Sequence, residues 1–316
     1  MINDVPVFRD PLFRKRGKHG AFPALSLAEV PRVGAVVDSH THLQMCAAPE
    51  VEAARAEIWG VTELIDVVDL AEEGWDTVAR LEAWLDEGHR LAREWAPSVG
   101  VDPEACLRPR LKVIAGCHPH NAKDYDDAME TALEAVLSDP HVVGLGEAGV
   151  DFFYDFSPRD VQVEAFRRQI RLANRTGLPM CLHIRDGHDL ALQVLEEEGF
   201  PEAGCVLHCY NLGPEVLAPW LEHDVYVGFD GPLTFGSADE VRAAALTVPR
   251  DRLLVETDAP YMTPAPMRGM PCGPAHVIFN AARLASVLGL APEELPELCA
   301  QLSENADRLY RSPASS

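Results

Sequence analysis

Six side chains of the kinds that bind metals stand at the ends of short apolar runs in this 316-residue chain. His40 and His42 follow Ala35-Val36-Val37-Asp38, two residues apart and therefore on one face of an extended segment. Glu147 closes the run at 142–146, His183 the run at 178–182, and His208 the run at 205–207. Asp258 ends the run that starts at Leu253, with Glu256 two residues before it. Imidazole together with carboxylate is the ligand set of zinc, manganese and iron hydrolytic sites. One histidine at the end of such a run is more often a buried hydrogen-bonding residue. Ligand types at five separate ends point instead to a metal centre.

Six ligands exceed what one tetrahedral ion takes, so two divalent ions are expected, zinc, manganese or magnesium. Glu147, central in the order, is the candidate bridge between them. Asp258 is the candidate that holds one ion and accepts the proton of the attacking water. Glu256 is expected to point into the same interior and to support the ligands from behind. A carbamylated lysine bridge is not expected, because Lys15, Lys18, Lys112 and Lys123, the four lysines of the chain, end no run. His19, His89, His141, His188, His223 and His276 follow no run in this way and are read as surface or packing residues.

Ligands scattered over more than 200 positions need a scaffold that gathers strand ends. Eight β-type runs, at 35–38, 62–68, 111–117, 142–146, 178–182, 205–207, 225–229 and 253–256, alternate with amphipathic stretches. One such stretch, 125–137, carries apolar residues at Ala128, Met129, Ala132, Leu133, Val136 and Leu137, the spacing of a helix packed on a core. Ser157-Pro158 reads as the cap and first residue of a helix that Gly177 stops. Further helices are read at 190–198, 214–221, 238–246 and 274–288, and from 292 towards 309. Strands alternating with helices pair in parallel through right-handed crossovers, so a (β/α)8 TIM barrel with its site at the C-terminal mouth is the expected α/β fold. A doubly wound open sheet is the alternative, but no G-x-G-x-x-G follows an early run.

The barrel domain is expected over 34–311, preceded by a proline-bearing extension at 1–33. The segment 72–110 reads as a helical insertion after the second strand. Within it, Trp75, Val78, Leu81, Leu85 and His89 fall at helical spacing as a face that covers the barrel.

Apolar residues make up 47% and charged residues 24%, which places the chain among globular proteins and not disordered ones. With 27 Lys and Arg against 50 Asp and Glu, the net charge of −23 argues against electrostatic wrapping of duplex DNA. The basic group Arg14, Lys15, Arg16, Lys18 and His19 is read as a solvated extension in preference to a nucleic-acid arm. No apolar run approaches the roughly 18 residues of a membrane span, and the N-terminus has no signal-type apolar core, so a cytoplasmic location is expected. The eight cysteines form no CxxC pair and are read as buried reduced thiols.

Taken as an ordered set, the motifs resemble the TatD family of metal-dependent hydrolases and deoxyribonucleases. They are Asp38-Ser39-His40-Thr41-His42-Leu43, Gly116-Cys117-His118-Pro119-His120 and Gly146-Glu147-Ala148-Gly149-Val150-Asp151, then 179–185, Val206 to Tyr210 and Glu256 to Tyr261, and last Glu304 to Leu309. The resemblance runs from about 35 to 310. It implies a TIM barrel, the six ligands named above, and phosphodiester hydrolysis in which a hydroxide held by the ions attacks phosphorus. It also implies that His118, His120 and Arg185 lie near the substrate phosphate. The expected substrate is a single-stranded DNA end or a small phosphodiester, with a small ester, lactone or amide as the alternative. No obligate protein partner is evident. The chain departs from the family at Tyr210-Asn211-Leu212, bulkier than usual, and at Cys272-Gly273, where Asn-Glu is common. A barrel that only binds, without chemistry, would have to bury these carboxylates and imidazoles uncompensated, which is costly.

Overall fold

The structure, a computed structural model, describes residues 5–311. Each apolar run is a strand, and the strands lie parallel and side by side in chain order. They are β1 (Val36–Thr41), β2 (Val61–Asp69), β3 (Arg110–Gly116), β4 (Val142–Asp151), β5 (Met180–Arg185), β6 (Cys205–Leu207), β7 (Tyr226–Phe229) and β8 (Leu253–Val255). The chain beyond β8 returns to β1: Thr257 N and Asp258 N both donate to His40 O, at 3.3 and 3.0 Å, and His42 N donates to Ala259 O at 2.9 Å. The architecture is the expected (β/α)8 barrel. Its strands are buried on both faces, which is why they read as continuous apolar runs and not as alternating ones.

One α-helix follows each strand: α1 (Pro49–Ile58), α2 (Thr77–Trp95), α3 (Asp127–Val136), α4 (Arg159–Thr176), α5 (His188–Glu198), α6 (Pro214–Leu221), α7 (Asp239–Ala245) and α8 (Val277–Val287), with α9 (Leu295–Leu309) last. The long helix read within 72–110 is α2. Among the described residues it is also the one α-helix between β2 and β3, so this segment contains the crossover itself. Leu81 and Leu85 are fully buried, and His89 Nδ1 lies 2.7 Å from Glu57 Oε1 on α1. Ser157 does not cap α4. Its hydroxyl donates to His120 O (2.7 Å) and accepts from Lys123 N (3.1 Å), tying the loop after β4 to the loop after β3.

Two apolar layers result. Outside the strands, the helices pack on residues such as Leu64, Val68, Leu145 and Leu182. Inside the barrel, Val37, Ile65, Ile114, Val143, Cys181, Val206 and Leu254 pack together, and Tyr310, just past α9, is fully buried among them.

The described part of the extension lies along α1 and α8. Arg55 donates to Phe8 O (2.6 Å) and Asp10 O (2.9 Å), Trp59 Nε1 donates to Pro11 O (2.7 Å), and Phe13 packs edge-on to Phe279. Three cations of its basic group have partners, Arg14 with Asp10, Lys15 with Glu29 and Arg16 with Gly269 O. No helix among the described residues is long and apolar enough to cross a membrane. All eight cysteines are free, and all but the half-buried Cys209 are buried.

Candidate metal centre

Period-two alternation delivers two of the six ligand-type side chains, His183 and His208. Cys181, Val206 and Leu254 belong to the interior cluster, and the residues two further along, His183, His208 and Glu256, rise above them towards the mouth, with Asp258 two beyond Glu256. β1 reaches the same place by a break in register between Asp38 and Thr41. Val37 belongs to the interior cluster, and His40, three residues on, meets Cys181 of that cluster at 3.4 Å. A shift of this kind re-aims a side chain from one face of a strand to the other.

Distances among the donor atoms test whether these residues fit divalent ions. Bonds of about 2.1 Å in a tetrahedral shell put donors roughly 3.4 Å apart. His40 Nε2 and His42 Nε2 are 3.3 Å apart, and Asp258 Oδ1 is 3.8 and 3.5 Å from them. On the other side, His183 Nδ1 and His208 Nε2 are 3.2 Å apart, with Glu147 Oε1 at 3.3 and 2.7 Å. Glu147 also reaches the first group, Oε1 standing 3.6 Å from His40 Nε2 and Oε2 3.6 Å from His42 Nε2. One carboxylate thus spans two groups of donors with ligand-like spacing, and the donor set fits a pair of cations.

The local field points the same way. Burial pushes Glu147 up, but the surrounding imidazoles, His208 and His40 foremost, outweigh it and hold the carboxylate well below its usual range. Burial, with His208 beside it, holds His40 far below its usual value, in the neutral form that ligates. His42 moves the other way. Burial lowers it, yet Asp258 and Glu147 together bring it up to about 10, the mark of a negative potential that attracts a cation.

Behind this layer, carboxylates fix the rings. Asp151 Oδ2 lies 2.8 Å from His120 Nε2 and 3.4 Å from His183 Nε2. An ionised carboxylate only accepts, so both nitrogens carry protons. Burial lowers His183, but its bonds to Asp151 and Glu147 bring it up to about 9, so Nδ1 also carries a proton towards Glu147, one that binding a cation there would release. Burial opposes ionisation of Asp151, but its bonds to His183 and His120 outweigh that and hold it well below the usual range. His118 Nδ1 accepts from His120 N (3.1 Å), so its proton sits on Nε2. Burial keeps this ring neutral, a hydrogen-bond donor and not a ligand. The close grouping of His118, His120 and His183 is therefore better suited to grip an anion than a third ion. Glu256 accepts from Cys209 N (2.5 Å) and Ser39 Oγ (3.4 Å), and burial with the charge of Asp258 raises it to about 8. Asp38, fully buried, accepts from Thr257 N (2.9 Å) and Thr257 Oγ1 (2.6 Å) and so pins the segment that carries Asp258.

The profile of the TatD-related DNase family matches residues 37–311. The chain belongs to the TatD-related DNase family. It is 31% identical over 285 residues to an uncharacterized metal-dependent hydrolase TatD of Mycobacterium tuberculosis, covering 87% of this chain and 97% of that one. It is 36% identical over 212 residues to a protein of Erwinia billingiae named as the 3′-5′ ssDNA/RNA exonuclease TatD, covering 63% and 77%. The crystal structure of YjjV, a TatD homologue of Escherichia coli K12, superposes with a TM-score of 0.69 at 25% identity, covering 88% and 98%.

Within this TatD-related barrel, all six ligand-type residues read from the sequence meet at one mouth. His118 and His120 border them, their rings 4.3 and 6.1 Å from that of His183. Arg185 stands at the rim, its guanidinium over the rings of Phe153 (4.0 Å) and Tyr154 (4.8 Å). At the two departures from the family pattern, Tyr210 is 2% exposed with its hydroxyl donating to Gly213 O (2.7 Å), and Cys272 is 1% exposed, while Asn211 is exposed.

Sequence reasoning passed over Asp151, Asp69 and Asp230. Asp69 accepts from His118 N (3.2 Å) and Asn121 Nδ2 (2.8 Å). Asp230, 1% exposed, accepts from Cys209 Sγ (3.2 Å) and groups with Cys209 and Asp258. Asp69 and Asp230 follow the runs at 62–68 and 225–229, so the rule that found the ligands, applied evenly, finds them too. Asp151, by contrast, closes β4 five residues beyond the apolar run at 142–146, which Glu147 already ends.

Proposed function

We propose that this chain hydrolyses phosphodiester bonds at the end of a single strand of DNA or RNA, with two divalent ions held by His40, His42, Glu147, His183, His208 and Asp258. The observation that carries the reading is Glu147, whose two oxygens reach both donor groups at ligand spacing. Likeness to the Erwinia exonuclease supports the choice of substrate. When bound, ions in such a pair supply an acidified water and positive charge opposite the phosphate oxygens.

The chain's own residues do the rest. Asp258, placed at φ 53° by the bond from its amide to His40 O, accepts the proton of the attacking water. His118 donates from Nε2 to a non-bridging oxygen, and His120, oriented by Asp151, stands beside it. Asp151 holds the proton on Nε2 of His183, which leaves Nδ1 as the nitrogen that gives up its proton to ligate.

The test is release of mononucleotides from a single-stranded oligonucleotide by purified protein in magnesium, manganese or zinc, beside a panel of carboxylic esters and lactones. Asp258→Asn should lower the rate by about 10²–10⁴-fold while the fold is retained. Turnover of esters or lactones with no nucleotide release in any ion would overturn the nuclease reading.

A further inference from the structure

All four exposed large aromatic side chains among the described residues stand at the mouth: Phe153, Tyr154 and Phe156 in the loop after β4, and Tyr261 just past Asp258. β4 and β8 lie four strands apart in a ring of eight, so the two sets flank the centre from opposite rims. Surfaces of soluble proteins rarely gather exposed rings without a ligand for them.

The loop after β4 presents its rings in a fixed arrangement. Tyr154 and Phe156 are stacked, with centroids 5.3 Å apart and planes within 8°. Phe153 meets Tyr154 edge-on at 4.8 Å. His120 sets its edge against Tyr154 (5.6 Å) and Phe156 (4.8 Å), so the rings adjoin the imidazoles that border the centre. Phe153, Tyr154 and Phe156 are nevertheless 56%, 47% and 57% exposed. The backbone beneath is pinned: Asp151 Oδ1 accepts from Phe153 N and Tyr154 N, both at 3.0 Å, and Arg159 donates to Phe152 O (2.9 Å) while pairing with Asp155 (2.8 Å). Arg185, lying over two of the rings, makes no ion pair among the described residues, which is unusual in a chain of net charge −23.

We propose that Phe153, Tyr154 and Phe156 are a stacking platform for the unpaired bases of a strand whose terminal phosphodiester lies at the metal centre, with Arg185 beside its backbone. The proposal rests on the nuclease reading and adds to it the surface that holds the strand's bases. Stacking on protein rings accepts any base, since every base has a π face, and a guanidinium among the rings adds attraction for the phosphates. Bases paired in a duplex are already stacked and cannot lie on the platform. A rigid aromatic surface next to a reaction centre thus selects single strands without reading their sequence.

The experiment compares an oligonucleotide with an otherwise identical strand whose last three nucleotides are abasic. Wild-type protein should show a KM for the base-bearing strand roughly tenfold below that for the abasic one. The Tyr154→Ala/Phe156→Ala variant should erase the difference by raising the KM of the base-bearing strand, and Tyr154→Phe/Phe156→Tyr should restore it. In parallel, 2-aminopurine fluorescence in a strand bound to Asp258→Asn protein should be quenched, and the quenching should be lost when the alanine pair is added. Hydrolysis of both strands with equal KM would overturn the platform and leave the nuclease reading standing. Base-dependent binding without hydrolysis would do the reverse. Neither binding nor hydrolysis of either strand would overturn both.

Discussion

At the end of the barrel where the strands begin, Tyr310 sits at 0% exposure against Val37, Val143, Cys181 and Val206, and the buried charge of Glu63 is paired with Lys112 at 2.9 Å. At the other end, reached two to four residues further along the same strands, His183, His208, Glu256 and Asp258 replace aliphatic groups. Apart from that pair, the first end is held by volume: apolar surface leaves water and the space is filled to interior density. The second is held by compensation, in which each buried charge has a partner of opposite sign or a hydrogen bond, as Glu147 has its imidazoles and Asp151 its four donors. The lesson is that one scaffold stores its stability below and spends freedom of composition above, which is why barrel function gathers at strand C-termini.

If that division holds, damage at the closed end should cost stability and spare chemistry. Tyr310→Ala empties a large buried volume and should lower unfolding free energy by about 3–5 kcal/mol, read from denaturant melts. The fraction that stays folded should keep wild-type ion content and turnover per molecule. A fall in turnover per folded molecule comparable to that of a ligand substitution would break the comparison.

His276 sharpens it from a third direction, as a buried ionisable group without a charged partner of opposite sign. Burial against Phe13, with Arg55 nearby, brings it down to about 4, and Gly273 N donates to its Nδ1 (3.0 Å). Its folded value lies below the unfolded value of about 6.5, so the unfolded chain takes the proton first as pH falls. The stabilisation is whole above pH 6.5 and is lost between about 6.5 and 4, up to about 3 kcal/mol. Melts of His276→Gln, compared with wild type across that window, should show the smaller pH slope; equal slopes would remove His276 from the account.

Both layers were legible in sequence to different degrees, for physical reasons. The apolar runs announced the strands, because a parallel sheet covered on both faces needs no polar alternation. His183 and His208 follow their strands by simple alternation, and H-x-H puts His40 and His42 on one face whatever the register, whereas Asp258 lies past β8 in a left-handed turn at φ 53°. What sequence could not display was the break in β1 that turns that face inward. The role of Asp151 was hidden because it acts through His120 and His183, partners 31 and 32 positions away. Segment 72–110 read as an addition because one crossover helix of 19 residues, followed by two short 3-10 turns, is longer than its neighbours. Ser157 looked like a cap because the local pattern fits one, whereas its hydroxyl serves a loop that only the fold brings near.

Asp151→Asn gives the smallest of these effects and separates compensation from volume most cleanly. The side chain is almost isosteric, so packing is unchanged. Asp151 now accepts from four N–H groups, two ring and two backbone. An amide has one oxygen and one NH2, so whichever way it turns, a donor faces donors. If the oxygen keeps the rings, Phe153 N and Tyr154 N lose their partner and the aromatic loop loosens. If it keeps the loop, His183 loses the acceptor that sets its tautomer. Loss of an outer acceptor of this kind lowers ion affinity or turnover by about 10–100-fold. Manganese titration followed calorimetrically, with turnover on the same samples, reads the first number, and ion-free melts should lose no more than about 1–3 kcal/mol, the cost of a buried donor left without a partner. Unchanged affinity and turnover would mean that the mouth, like the closed end, is held by shape alone.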